Sequence, residues 1–172
     1  MKDNDNEGWP GAVIDEVHTK AKESAPKFKP NVYLVLVGTN DCVQNRDIPK
    51  AGERLHSMID DLFTASPRAT VVLSSLIVNR NSTIDGRVKD VNAQYKKLAD
   101  ELRAAHKRVV FADMHGADGP QVNDLVADGT HPTDAGYKKL AHIFYKALVD
   151  ASNSHFLQPP EKVDGLPDSG PQ

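Results

Sequence analysis

The residues best suited to chemistry fall in three short runs. Asp128-Gly129-Thr130-His131-Pro132 lies just before the last helical pattern of the chain. Cleaving an acyl ester needs a base that removes the nucleophile's proton and later returns it to the leaving group. Histidine suits that task near neutral pH. An aspartate three residues earlier can orient the imidazole and stabilise its charged form. Pro132 stiffens the loop and opens the following helix. The second run, Gly38-Thr39-Asn40-Asp41, follows directly on the clearest strand pattern. Gly38 allows a tight turn, and the Asn40 side-chain amide can donate to a developing oxyanion. The third run is Glu7-Gly8-Trp9-Pro10-Gly11, where a glycine N–H at a helix entrance can face an anion. Trp9 and Asp41 are the candidates for substrate contact. Each run also reads as an ordinary turn, because Gly, Pro, Asn and Asp favour turns anywhere, and packing accounts for Trp9 equally well.

These runs need elements to hold them. Val32–Val37 is a continuous apolar run ended by Gly38, the pattern of a parallel strand buried on both faces. Thr70–Leu76 and Arg108–Ala112 are two further strands. Helical spacing appears at Ile14, Val17 and Ala21, then at Ala51, Leu55, Met58, Ile59 and Leu62. It returns at Val88, Val91, Tyr95, Leu98, Ala99 and Leu102, and over 135–151, where Thr133 or Asp134 caps the first turn. Strands alternating with helices imply parallel pairing and right-handed crossovers. The expected fold is therefore an α/β protein, a three-layer α/β/α sandwich of flavodoxin-like type. In open parallel sheets, ligands bind beyond the carboxyl ends of the strands, where Gly38–Asp41 stands. Residues 1–152 read as one domain, and the polar, proline-bearing residues 153–172 as a flexible tail.

Composition excludes several functions. The net charge of −3 gives no basic face, so nucleic acid is not an expected partner. Nothing approaches the run of about 18 apolar residues that a membrane span needs. The start, Met1 to Asn6, is polar and carries no apolar leader. The single cysteine, Cys42, reads as a small buried apolar residue. Asp113 and His115 follow the third strand, but with no further ligand in evidence no metal is expected.

Taken together, the three runs resemble the SGNH (GDSL-type) hydrolase family, from about Glu7 to Ala151. The branch they look most like is the secreted microbial and fungal esterases that act on acylated carbohydrates. That branch's Glu-Gly-x-x-Gly turn, Gly-Thr-Asn-Asp-Cys run and Asp-Gly-x-His-Pro loop are matched by Glu7–Gly11, Gly38–Cys42 and Asp128–Pro132. The resemblance implies that Gly11 and Asn40 form part of an oxyanion hole, that His131 is the base, and that Asp128 orients it. It also implies no metal or organic cofactor and an extracellular location. The implied substrate is a small-molecule or carbohydrate acyl ester, with lysophospholipid and acyl thioester as family alternatives.

The family's nucleophile motif, Gly-Asp-Ser, does not occur here. Ser74 and Ser75 fall in the second strand, and Asp168-Ser169 in the tail. The expectation is a chain that lacks the family's first strand and its nucleophile. Such a chain has little activity, and an exposed strand edge favours self-association. Two other readings compete: a catalytically dead glycan- or lipid-binding module, and an unrelated nucleotide binder. The latter lacks a glycine-rich phosphate loop after any strand.

Overall fold

The computed structural model describes residues 6–165. Three parallel strands, β1 (Val32–Val35), β2 (Thr70–Ser74) and β3 (Val109–Ala112), lie side by side in chain order. Val32 stands opposite Thr70, and Val71 opposite Val109. Helix α1 (Ile14–Phe28) precedes the sheet, and α2 (Thr39–Gln44) follows β1. Then α3 (Ala51–Ala65) connects to β2, α4 (Ser82–Ala104) connects β2 to β3, and α5 (Asp134–Asn153) closes the order. Thr133 caps α5, its hydroxyl accepting from the Gly136 N–H at 3.3 Å.

Every residue of β2 is buried, as in a strand covered on both faces. Alternating side chains divide the core. Val35, Val71, Leu73 and Val109 pack with residues of α1, α3 and α4, while Val72, Val110 and Ala112 pack with Leu140, Ile143 and Ala147 of α5. The three expected layers are present. Right-handed crossovers that step the same way across the sheet put α3 and α4 on one face, which leaves α5 the other.

The expectation that the first strand is buried on both faces is corrected. Tyr33 and Val35 turn into the core under α1 and α3, but Leu34 and Leu36 are 49% and 41% exposed on the opposite face. On that face α5 packs against β3 and β2. A helix is about 10–12 Å across and strands lie about 4.8 Å apart, so one helix covers about two strands. β1 is also a sheet edge among the described residues.

Part of the stretch after α5 packs against the domain. Phe156 joins the core beneath α5, and its carbonyl accepts from the Thr70 hydroxyl at 2.8 Å. The Gln158 carbonyl accepts from the Asn31 amide at 2.7 Å. The chain thus closes over the start of β1 and β2 before Pro167 and Pro171, which lie outside the described residues. Among the described residues, no helix is long and apolar enough to cross a membrane.

Candidate active site

The loop before α5 is pinched at its base. Leu125 bridges Pro132, and the Val126 N–H donates to the His131 carbonyl at 2.9 Å. Within it, Asp128 Oδ1 accepts from the backbone N–H groups of Thr130 at 2.8 Å and His131 at 2.9 Å. That leaves Oδ2 for the imidazole, whose Nδ1 lies 2.8 Å away. The backbone N–H groups of His131 and Thr130, with the imidazole, hold the carboxyl down at about 2. A carboxylate fixed in this way selects the tautomer with the proton on Nδ1. The His131 side chain is 70% exposed, and no hydrogen bond among the described residues engages Nε2.

A second cluster gathers where α2 begins. Gly38 has φ 116°, and a Cβ there would lie 2.6 Å from the Tyr95 hydroxyl, so the turn requires glycine on two counts. Asn40 donates its amide to the Ala12 carbonyl at 2.9 Å, and Gln44 donates to the Gly11 carbonyl at 3.1 Å. Gly11, at φ 78°, sits in a turn closed by the Ala12 N–H on the Trp9 carbonyl at 3.2 Å. Gly11 and Asn40 are therefore neighbours. Trp9 is 43% exposed and walls an open hollow of about 320 Å³ with Pro10, Gly11, Ala12, Glu16 and Lys20. The Lys20 ammonium stands 5.4 Å from the indole centroid.

Asp41 does not face substrate, which corrects the sequence expectation. It is fully buried, with Oδ1 on Arg54 at 2.7 Å and Oδ2 on the Ile14 N–H at 3.0 Å. It caps the first turn of α1 from another element, satisfying an N–H that the helix itself cannot. Cys42 beside it is also fully buried, and burial with the Asp41 charge pushes its thiol up to about 12.

The two clusters share one rim. Asn40 follows β1, and the His131 loop is fastened to the residues after β2, both at the carboxyl ends of parallel strands. Among the described residues no hydrogen bond joins the clusters directly. A hollow of about 250 Å³ lined by Phe63, Pro67, His106, Lys107 and Arg108 lies at the opposite rim, before β2 and β3.

Residues 2–139 match the GDSL-like lipase/acylhydrolase family. The chain belongs to that family. A curated Acetivibrio thermocellus protein that carries the provisional name endoglucanase X is 27% identical over 121 residues, 70% of this chain. The chain spans about half (51%) of that relative's length. Among solved structures, a family 3 carbohydrate esterase from Clostridium thermocellum is 25% identical with a TM-score of 0.76, covering 89% of this chain and 73% of its own. A carbohydrate esterase family 3 protein from Talaromyces cellulolyticus has a TM-score of 0.78 at 24% identity, covering 87% of this chain and 72% of its own; at that identity it supports the fold alone.

No exposed serine takes the nucleophile's place among the residues weighed for it in this GDSL-family chain. The Ser74 hydroxyl donates to the Val35 carbonyl at 3.0 Å, and the Ser75 hydroxyl to Asp113 at 3.0 Å, both side chains being buried. Asp168-Ser169 lies outside the described residues. Asp113 and His115 diverge, since His115 Nε2 turns to Asp85 at 3.2 Å. Sequence reasoning missed Asn79 and Arg80, which grip the His131 loop. The available signal was a polar run, Asn79-Arg80-Asn81-Ser82, at the carboxyl end of a buried strand.

Proposed function

We propose that this GDSL-family chain is the greater part of a carboxylic ester hydrolase, with an acetylated carbohydrate as its first candidate substrate. One observation carries the reading. The Asp128–His131 pair is formed at 2.8 Å and no hydrogen bond among the described residues engages Nε2, while Asn40, just beyond the carboxyl end of β1, bonds the Ala12 carbonyl next to Gly11. The likeness to a carbohydrate esterase supports the substrate class.

In this reading His131 Nε2 takes the proton from a serine hydroxyl as its oxygen attacks the acyl carbon. The carbonyl π electrons move to oxygen, which is met by the Asn40 amide and the Gly11 N–H. His131 then gives the proton to the departing alcohol oxygen. Water repeats the cycle to free the acid and restore the serine. Asp128 holds Nδ1–H throughout and stabilises the imidazolium. The 172 residues hold no Gly-Asp-Ser, so turnover requires a segment carrying that serine to be joined to them.

A serine-directed fluorophosphonate probe tests this. It should label the chain joined to a Gly-Asp-Ser segment, lose that labelling in His131→Ala, and leave the 172-residue chain unlabelled. Absence of label on a folded joined form would end the reading. A second reading, a glycan- or lipid-binding module without turnover, draws on the missing Gly-Asp-Ser and the exposed Trp9. Binding without hydrolysis in the joined form selects it. The reading carries the family's extracellular location with it, which detection of the native protein in culture medium rather than in cells would support. It also carries self-association, because β1 is a sheet edge among the described residues, with Leu34 and Leu36 exposed beside it, and such an edge invites another chain. Light scattering from a stable monomer at high concentration would contradict that.

A further inference from the structure

The loop that carries His131 has little regular structure of its own, yet two consecutive residues from elsewhere hold it at four points. The Arg80 guanidinium donates to the Leu125 and Ala127 carbonyls, each at 3.1 Å. The Arg80 backbone N–H donates to the Gly129 carbonyl at 2.9 Å. The Asn79 amide donates to the Thr130 hydroxyl at 3.0 Å, one residue before His131. Alternate carbonyls of the loop thus face a single arginine, whose planar fork can hold two acceptors at a fixed separation as an ammonium cannot. The approach is close: a Cβ on Gly129 would lie 2.7 Å from the Arg80 Cβ, and Gly129 is at φ 74°.

The gripping residues are themselves anchored. Asn79 is 6% exposed; its N–H donates to Asp85 at 3.0 Å, and its side-chain carbonyl accepts from the Asn81 N–H at 2.9 Å. Asn81 in turn caps α4, accepting from the N–H groups of Thr83 and Ile84 at 3.0 and 3.2 Å. A continuous chain of hydrogen bonds therefore runs from the first turn of α4 through Asn79 and Arg80 to the loop.

The Asp128–His131 pair, by contrast, is built from bonds within its own four residues. Its local shape does not need Arg80; its place on the rim does. We propose that Asn79 and Arg80 are positioning residues that set where the His131 imidazole stands relative to the carboxyl end of the sheet. The proposal rests on the reading of His131 as the base. Neither residue belongs to the Asp–His pair; both act through the loop.

The test is backbone and imidazole ¹⁵N relaxation on the 172-residue chain. In Arg80→Ala, order parameters for residues 126–131 should fall from about 0.85 to below about 0.6. Core amides of β2 and α4 should stay rigid, and the Asp128 carboxyl should still titrate near 2. Arg80→Lys should give an intermediate loss, and Asn79→Ala a loss centred on residues 130 and 131. A loop as rigid in Arg80→Ala as in the parent overturns the proposal. So does loosening shared equally by the core, which would make the role one of general stability. Should Arg80→Ala fail to fold, parent-like rigidity in Arg80→Lys overturns it instead. In the form joined to a Gly-Asp-Ser segment, Arg80→Ala should lower kcat for p-nitrophenyl acetate about 10²-fold, as a small misplacement of a catalytic group does, with KM unchanged. An unchanged kcat also overturns it. A joined form with no activity at all, beside the expected loop response, counts against the ester-hydrolase reading alone.

Discussion

Asp41 and Asp128 each sit beside a glycine at a turn, Gly38 before the first and Gly129 after the second, but the first side chain is fully buried and the second is 50% exposed. Asp41 meets a cation and a helix N–H from distant parts of the chain, Arg54 at 13 residues and Ile14 at 27. Asp128 meets only its own neighbours, Thr130 and His131. The first joins α1 to α2 and α3; the second orients an imidazole whose side chain is 70% exposed. Two carboxylates of similar sequence setting thus divide into one that holds the fold and one that is available for chemistry.

Each half of that contrast can be broken separately. The largest effect is expected from Asp128→Asn in a form joined to a Gly-Asp-Ser segment. Losing the Nδ1 acceptor leaves the wrong tautomer, and kcat should fall about 10⁴-fold. The same change in the 172-residue chain should leave the urea midpoint almost where it was, because the side chain is half exposed. A large shift in that midpoint would show that Asp128 is structural as well.

Arg54→Met should cost about 3–5 kcal/mol in urea unfolding, because it leaves the Asp41 charge buried without its partner. A loss nearer that of a surface ion pair would mean that Asp41 is reached by water. Asn40→Ala sharpens the same contrast from the catalytic side. In the joined form it should cost about 2.7–4 kcal/mol of transition-state stabilisation, as loss of an oxyanion donor does. It also removes the bond to the Ala12 carbonyl, so a parent-like KM would separate the chemical loss from a displaced Gly11 turn.

The smallest effect concerns pH. The Asp128 carboxyl lies at about 2 in the folded chain against an ordinary 3.8. A lowered folded value means its stabilising contribution is complete above the ordinary value. That contribution is lost as pH falls from there through about 2. Carboxyl ¹³C titration should therefore find Asp128 still ionised at pH 3; a midpoint near 4 would mean that the two backbone donors are not bound in solution.

Much of this architecture was legible in the residues. Thr70–Leu76 reads as a strand, and Thr70–Ser74 forms one with every residue buried. The spacing of Val88, Val91, Tyr95, Leu98 and Leu102 places one face of α4 in the core, and all five are buried. Of the two candidate caps for α5, Thr133 and Asp134, it is Thr133 whose hydroxyl accepts from Gly136. The Asp128–His131 contact could be anticipated because three residues of loop bring the two side chains together locally. Other features were out of reach. The apolar run through Leu34 and Leu36 matches that of β2, yet these two leucines face outward. The stretch from Asn153 onward reads as a loose, polar tail, yet the carbonyls of Phe156 and Gln158 within it accept from Thr70 and Asn31.

The sequence by itself determined the three strands, the four longer helices, a three-layer arrangement, and the local pairing of Asp128 with His131, but not the short helix α2, which it offered only as a turn. All of these depend on periodicity or on neighbours within one turn. Only the tertiary structure decided that Asp41 is sealed against Arg54, that β1 keeps one face open, and that Arg80 fastens the histidine loop. These outcomes depend on which side chain, distant in the chain, arrives at a given place and on how far one helix can reach across a sheet. No local pattern encodes either, because burial and partnership belong to pairs of segments rather than to one.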